Sequence, residues 1–312
     1  MGSPLSRREL LGNIAVAAVA VALPRRLAAL GLGAGQPGAG GADPDHERLT
    51  AWSAALRADG GTRSSGPFGL DAVRVGELAA GTPYVAGTLD AYIRAGGSAS
   101  GVEPLTLSLT RFDCVTLVEA CIAVARVADH DGSASWERLG RETERMRYRR
   151  GERRGYASRL HYFSEWISDG ERRGLVKDCG AELGGVEDAR PLRFMSGHRA
   201  SYPALADDGV FREIAAMERR LDEHARRVIP SKQLPGVVDR IESGDVLAFA
   251  TEIPGLDVTH AAFAHRGADG VLRVLHAPLS GGVVAVTRTT LPEYVAAIRR
   301  CTGVLVARPL RA

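Results

Sequence analysis

Thr110-Arg-Phe-Asp-Cys-Val-Thr-Leu-Val-Glu119 places a cysteine where a turn gives way to an apolar helical run. Val115, Leu117, Val118, Cys121, Ile122, Val124, Ala125 and Val127 recur at helical spacing with apolar residues on most faces, the pattern of a largely buried helix. Asp113 is its candidate N-cap. Cys114 then lies in the first turn, where free N–H groups and the positive end of the helix dipole are expected to lower a thiol pKa and favour the reactive thiolate. A helix-start cysteine becomes a candidate nucleophile only if a histidine is brought to it, so the rest of the chain has to supply one.

Working outward, the segment after residue 245 alternates β-prone runs with turn residues. It predicts five strands, over 246–251, 258–265, 271–277, 283–287 and 303–308, with a helix over 291–300. Before it come amphipathic helices over 46–57, 70–80, 135–149 and 213–227, with 84–89 extended. Helices first and an antiparallel sheet second make the fold α+β. Arg266-Gly-Ala-Asp-Gly270 reads as the turn of a hairpin. With the turn centred near Ala268, His260 and His276 fall opposite each other and share a face, whereas His265 points the other way. Thiol, imidazole base and a second polar group orienting that base are the parts of papain-like acyl transfer, here Cys114, His260 and His276. The backbone N–H of Cys114 is the natural oxyanion donor. Ser158-Arg-Leu-His-Tyr-Phe163 concentrates aromatic and polar groups, and Arg159, His161 and Tyr162 are candidates to line a cleft.

The 312 residues carry 40 basic and 37 acidic side chains, a net charge of +3 that is too small and mixed for a nucleic-acid footprint. Four cysteines, at 114, 121, 179 and 301, show no metal-ligand spacing, so neither a metal nor another cofactor is expected. Whether Cys179 and Cys301 pair is left open. Ser6-Arg7-Arg8-Glu9-Leu10-Leu11 before a short apolar run has the layout of a twin-arginine export signal, and a Gly/Ala/Pro linker follows it. The run is too short for a stable membrane span. Residues 1–42 are therefore read as signal and linker, and 43–312 as one catalytic domain with a mainly helical insertion at about 133–230, exported to the periplasm or beyond.

Taken together, Phe112-Asp-Cys-Val-Thr-Leu-Val-Glu119, Thr82-Pro-Tyr-Val-Ala-Gly-Thr-Leu89, Ser158-Arg-Leu-His-Tyr-Phe163, Phe194-Met-Ser196, Gly244-Asp245, Gly255-Leu-Asp-Val-Thr-His260 and Leu275-His-Ala277 resemble the N-acetylmuramoyl-L-alanine amidase-like branch of the NlpC-type cysteine peptidases. The resemblance implies a papain-like fold and hydrolysis of the bond between N-acetylmuramic acid and the L-alanine of a stem peptide, with peptidoglycan or a muropeptide as the partner. Position by position, Cys114 matches the nucleophile, His260 the base, His276 the orienting residue and Tyr84 the tyrosine beside the thiol. Thr116-Leu117 and Ala261-Ala262-Phe263 depart from the family pattern without removing a catalytic group. The rivals are an endopeptidase cutting between D-glutamate and the diamino acid of the stem, a wall-binding module without activity, and an acyl transferase acting on lipid.

Overall fold

The computed structural model describes residues 43–59, 66–279 and 282–311. The proposed signal and linker at 1–42 lie outside them. Nine α-helices are described: α1 Pro44–Ala58, α2 Gly69–Leu78, α3 Ala91–Arg94, α4 Cys114–Asp129, α5 Trp136–Arg147, α6 Phe163–Arg172, α7 Phe194–Gly197, α8 Asp208–Leu221 and α9 Leu291–Ala297. With them are eight strands: β1 Val176–Asp178, β2 Val186–Asp188, β3 Arg226–Pro230, β4 Val246–Thr251, β5 Val258–Arg266, β6 Leu272–His276, β7 Ala285–Val286 and β8 Cys301–Pro309. They form one antiparallel sheet in the order β2-β3-β8-β4-β5-β6-β7, and β1 pairs with the far end of β8.

α4 starts at Cys114 because Asp113, in extended conformation, accepts from the Thr116 backbone N–H at 2.8 Å while the Thr116 hydroxyl receives the Asp113 N–H at 2.9 Å. This reciprocal capping box satisfies two donors that a helix start otherwise leaves open. Leu117, Val118, Ile122 and Val124 of α4 are completely buried, and the helix packs on α1, α2, α5 and β5. Each such aliphatic side chain contributes about 1.5–3 kcal/mol when fully buried, so the helix is anchored by packing and its first turn is held in place.

The sheet is covered on both faces, and the alternation along β4 shows it. Val246, Ala248 and Ala250 join the cluster under α4, while Leu247 and Phe249 join the cluster with Leu291 and Val295 of α9. Between Phe249 and Ala250 the β4–β5 register shifts. His260 faces Phe249 but Val258 faces Ala250, so Thr259 is an extra residue next to His260.

The sheet differs from the five strands expected. β4, β5, β6 and β8 lie where the alternation placed them, and β7 shrinks to two residues. Three further strands come from the segment read as a helical insertion. β1, β2 and β3 have three to five residues each, too short for a period-2 pattern to stand out, and β3 begins at Arg226 where a helix was expected to run to 227. The Ser158 hydroxyl donates to Gly155 O at 2.7 Å. At the start of α6, Asp257, the residue before β5, accepts from both the backbone N–H and the hydroxyl of Ser164 at 2.8 Å.

Candidate active site

Strand β6 pairs with β5 from Arg266↔Leu272 to Phe263↔Leu275 and no further. This ladder centres the turn on Asp269, one residue later than expected, so extending it would set His276 across from Ala262 with His260 on the diagonal. Moving a partner by two residues keeps both side chains on one face, and the pair still meets. His260 Nε2 lies 2.9 Å from His276 Nδ1. Beyond Phe263 the two strands are unpaired, and since Ala264 bonds towards β4, the alternate residue Ala261 turns its N–H into the opening on the β6 side.

The Cys114 sulphur occupies that region. Backbone N–H groups of Ala261, Val115 and Cys114 itself face it and favour the thiolate. They do not prevail. Burial pushes the Cys114 thiol up to about 12, and the Asp113 carboxylate adds to the rise. The depressed pKa expected from the helix start is therefore corrected: the residue has no exposed surface, and its own N-cap is an anion that offsets the dipole. The other three thiols are raised as well, by burial first.

Burial, with His276 alongside, holds His260 down to about 3, and burial alone holds His276 down to about 4. At neutral pH the cluster is thus a neutral thiol and two neutral imidazoles. One His260 nitrogen is bonded to His276, while the other, Nδ1, is buried with no hydrogen-bond partner. Phe249 stacks on the His260 ring at 5.8 Å between centroids and 14° between planes. Tyr84 and Tyr294 both lie within electrostatic reach of the Cys114 sulphur, and their phenols are raised by burial and by that neighbour. Tyr84 sits on backbone that bridges Phe112, two residues before the cysteine. Tyr294, on α9, places its hydroxyl 3.1 Å from His276 Nδ1. Nothing in the sequence singled out Tyr294, since one tyrosine on an amphipathic helix reads as packing.

The structure gathers Arg159, His161 and Tyr162 elsewhere. Arg159 is 8% exposed and bonds Asp90 at 2.9 Å and Glu103 at 3.1 Å, with its guanidinium over the Tyr156 ring. His161 Nε2 bonds Tyr156 O at 2.9 Å. Tyr162 is 1% exposed, donates to Glu218 at 2.6 Å and accepts from the Phe194 N–H at 3.0 Å. These partners tie the 84–107 region and α7 to α6 and α8. Cys179 and Cys301 are both free. Cys179 bonds opposite Val306, five residues along β8 from Cys301, or about 16 Å at strand rise, too far for a disulfide. Among the described residues no cluster of metal-ligating side chains is found, and no helix is long and apolar enough to cross a membrane.

Comparison with known proteins gives the family. The model described as AmiA-like, N-acetylmuramoyl-L-alanine amidase-like, matches residues 74–303. A crystal structure of an N-acetylmuramoyl-L-alanine amidase from Bacteroides uniformis superposes with a TM-score of 0.69 at 30% identity, covering 78% of this chain and 99% of that one. A Bacteroides fragilis protein provisionally named a xylanase gives 0.67 at 32% identity, covering 75% and 98%. A Legionella pneumophila protein shares the fold at 0.60 with 17% identity, covering 85% and 94%. No curated protein matches the chain. The family match over most of the sequence, with the Bacteroides uniformis likeness over nearly all of that protein, establishes that this chain belongs to the N-acetylmuramoyl-L-alanine amidase-like family.

Proposed function

We propose that the protein is a cysteine amidase of papain-like, NlpC-type design that hydrolyses the bond between N-acetylmuramic acid and L-alanine in peptidoglycan or muropeptides. The observation that carries this reading is the buried imidazole pair beside Cys114, bonded at 2.9 Å on one side and left with a free Nδ1 on the other. In this reading His260 Nδ1 takes the Cys114 proton as the sulphur attacks the lactoyl carbonyl carbon. A resting thiolate–imidazolium pair is disfavoured in so dry a site, so proton transfer accompanies attack. The tetrahedral oxyanion receives the Cys114 N–H at the start of α4. The imidazolium, steadied by the His276 Nδ1 lone pair, returns its proton to the leaving nitrogen, the C–N bond breaks, and the stem peptide departs with a free L-alanyl amine. Water, deprotonated by His260, then hydrolyses the muramoyl thioester and regenerates the thiol.

Tyr84 is the substrate-facing residue of this reading, whereas Arg159, His161 and Tyr162 are assigned to the scaffold because their polar atoms are engaged inside it. A glycosidase works with two carboxylates flanking the bond. Here Asp113 is committed to a helix cap, and Glu119, a carboxylate within its electrostatic reach, is committed to Arg147 at 2.7 Å. Arg7 and Arg8 are read as the export address that takes the enzyme to the wall. Export unaltered by Arg7→Lys with Arg8→Lys would remove that part. The bond is tested by digesting purified muropeptides and weighing the fragments. Free stem peptide beginning with L-alanine supports the amidase, a fragment ending in D-glutamate transfers the protein to the endopeptidases, and shortened sugar chains contradict both.

A further inference from the structure

Neutral His260 and His276 can share their bond in two ways. In the first, His260 carries its proton on Nε2 and donates to His276 Nδ1, which leaves His260 Nδ1 as a lone pair. In the second, His276 donates from Nδ1 to His260 Nε2, and the His260 proton sits on Nδ1. Only the first offers a base to the thiol, so the pair needs something to select it.

The group in position to do so is the phenol of Tyr294. We infer that Tyr294 is a positioning residue of the triad, whose hydroxyl, 3.1 Å from His276 Nδ1, keeps that nitrogen unprotonated and so keeps the Nδ1 lone pair of His260 open. This rests on the reading of Cys114 and His260 as nucleophile and base. His276 Nδ1 receives two neighbours, His260 Nε2 at 2.9 Å and the Tyr294 hydroxyl at 3.1 Å. With Nδ1 as acceptor, both can donate to it in a three-centre arrangement. With Nδ1 protonated, the phenol hydrogen loses this acceptor. The His260 Nδ1–H would then be a buried donor without a partner, a more costly state than a buried lone pair. The phenol stays in its donating form because burial and the nearby sulphur raise its pKa.

The rings keep these atoms in place. Tyr294 meets His276 edge-on at 5.2 Å and 81°, and Phe249 at 5.2 Å and 60°, while Phe249 stacks on His260. α9 is itself fixed by a capping box between Thr290 and Glu293, and by Leu291 and Val295 in the core. Tyr294→Phe therefore removes the hydroxyl and leaves the aromatic bracket.

The test is to record two-bond nitrogen–proton correlations of the imidazoles at pH 7 in the parent protein and in Tyr294→Phe, and to measure steady-state hydrolysis of a muramoyl tripeptide by both. The parent should show His260 protonated on Nε2. In the variant the Nδ1–H form should grow, kcat should fall about 10- to 100-fold, and KM should change less than about twofold. The melting temperature should stay within about 2 °C, the shift expected from the loss of one weak hydrogen bond. Unchanged His260 tautomer and kcat in Tyr294→Phe overturn the inference. Cys114→Ala separates the two levels: if it is inactive while Tyr294→Phe behaves as the parent, only the role of Tyr294 fails, and if it remains active, the triad reading fails and the inference with it.

Discussion

Two buried polar clusters in this chain are built on opposite rules. Around Arg159 the groups are charged and saturated: the guanidinium bonds Asp90 and Glu103, Tyr148 donates to Glu103 at 3.1 Å, and Tyr92 reaches the same carboxylate at 3.5 Å. Around Cys114 the groups are neutral at pH 7 and one bond short, because the thiol is pushed up, both imidazoles are pushed down, and His260 Nδ1 has no partner. Burial is common to both. What separates them is whether the buried groups exhaust one another: a saturated ionic cluster fixes loops, and a neutral cluster with a spare lone pair can accept a proton from a reacting atom.

The comparison breaks most visibly through activity. His260→Ala should lower turnover per folded molecule by about 10³–10⁴, since it removes the base itself. His276→Ala should cost about 10²-fold and His276→Gln less, because a side-chain amide still offers a partner to His260. If instead His276→Ala melts lower and turns over at the parent rate once corrected for folded fraction, both clusters are scaffold.

Arg159 tests the other side. Arg159→Met strands two carboxylates in the interior and should destabilise the fold by about 3–5 kcal/mol, read by denaturant unfolding. A raised KM with unchanged stability would return Arg159 to the substrate.

The pKa shifts predict how acid treats the neutral cluster. Because His260 must be neutral to accept a proton and is held down to about 3, kcat/KM should show no acid limb near pH 6.5 and should persist at pH 5. Stability should behave differently. Below the unfolded-state value of 6.5 the unfolded chain binds protons that the folded histidines refuse, so stability is lost as pH falls from 6.5 towards 4 and 3. The slope is about 1.4 kcal/mol per pH unit for each histidine. Replacing both histidines by glutamine should remove their share of that slope and leave that of His161, which burial also holds well below its usual value, and an unchanged slope would mean that other groups control it.

Asp113→Asn gives the smallest effect. Asparagine caps nearly as well as aspartate, so stability should move by less than about 1 kcal/mol, but the anion beside the sulphur is gone. The thiol pKa should fall and alkylation of Cys114 at pH 8 should quicken several-fold, about what a shift of less than one unit produces. Equal rates would show that Asp113 does not bear on the sulphur.

Much of this was legible where a local pattern carried the information. The apolar run from Val115 to Val127 gave α4, the alternation after residue 245 gave β4, β5, β6 and β8, and parity along the hairpin put His260 and His276 on one face despite a one-residue error in the turn centre. Long-range pairing was not legible. β1, β2 and β3 are strands because β8 and one another offer them partners, and three to five residues do not announce that. Electrostatics was misread for a related reason. The dipole at Cys114 is local and visible, whereas its complete burial comes from the assembled fold, and burial outweighs the dipole. The role of Arg159 and Tyr162 was not legible either, since a polar side chain among aromatics reads the same whether it meets solvent or a buried carboxylate.

The central claim, that the chemistry runs through Cys114, is tested most directly by the rate of L-alanyl amine release from N-acetylmuramoyl-L-alanyl-D-isoglutamine by the parent and by Cys114→Ala, each at equal folded concentration. The account predicts release by the parent and none above the uncatalysed background by the variant, whose melting temperature stays close to that of the parent. Release by Cys114→Ala at the parent rate would contradict it.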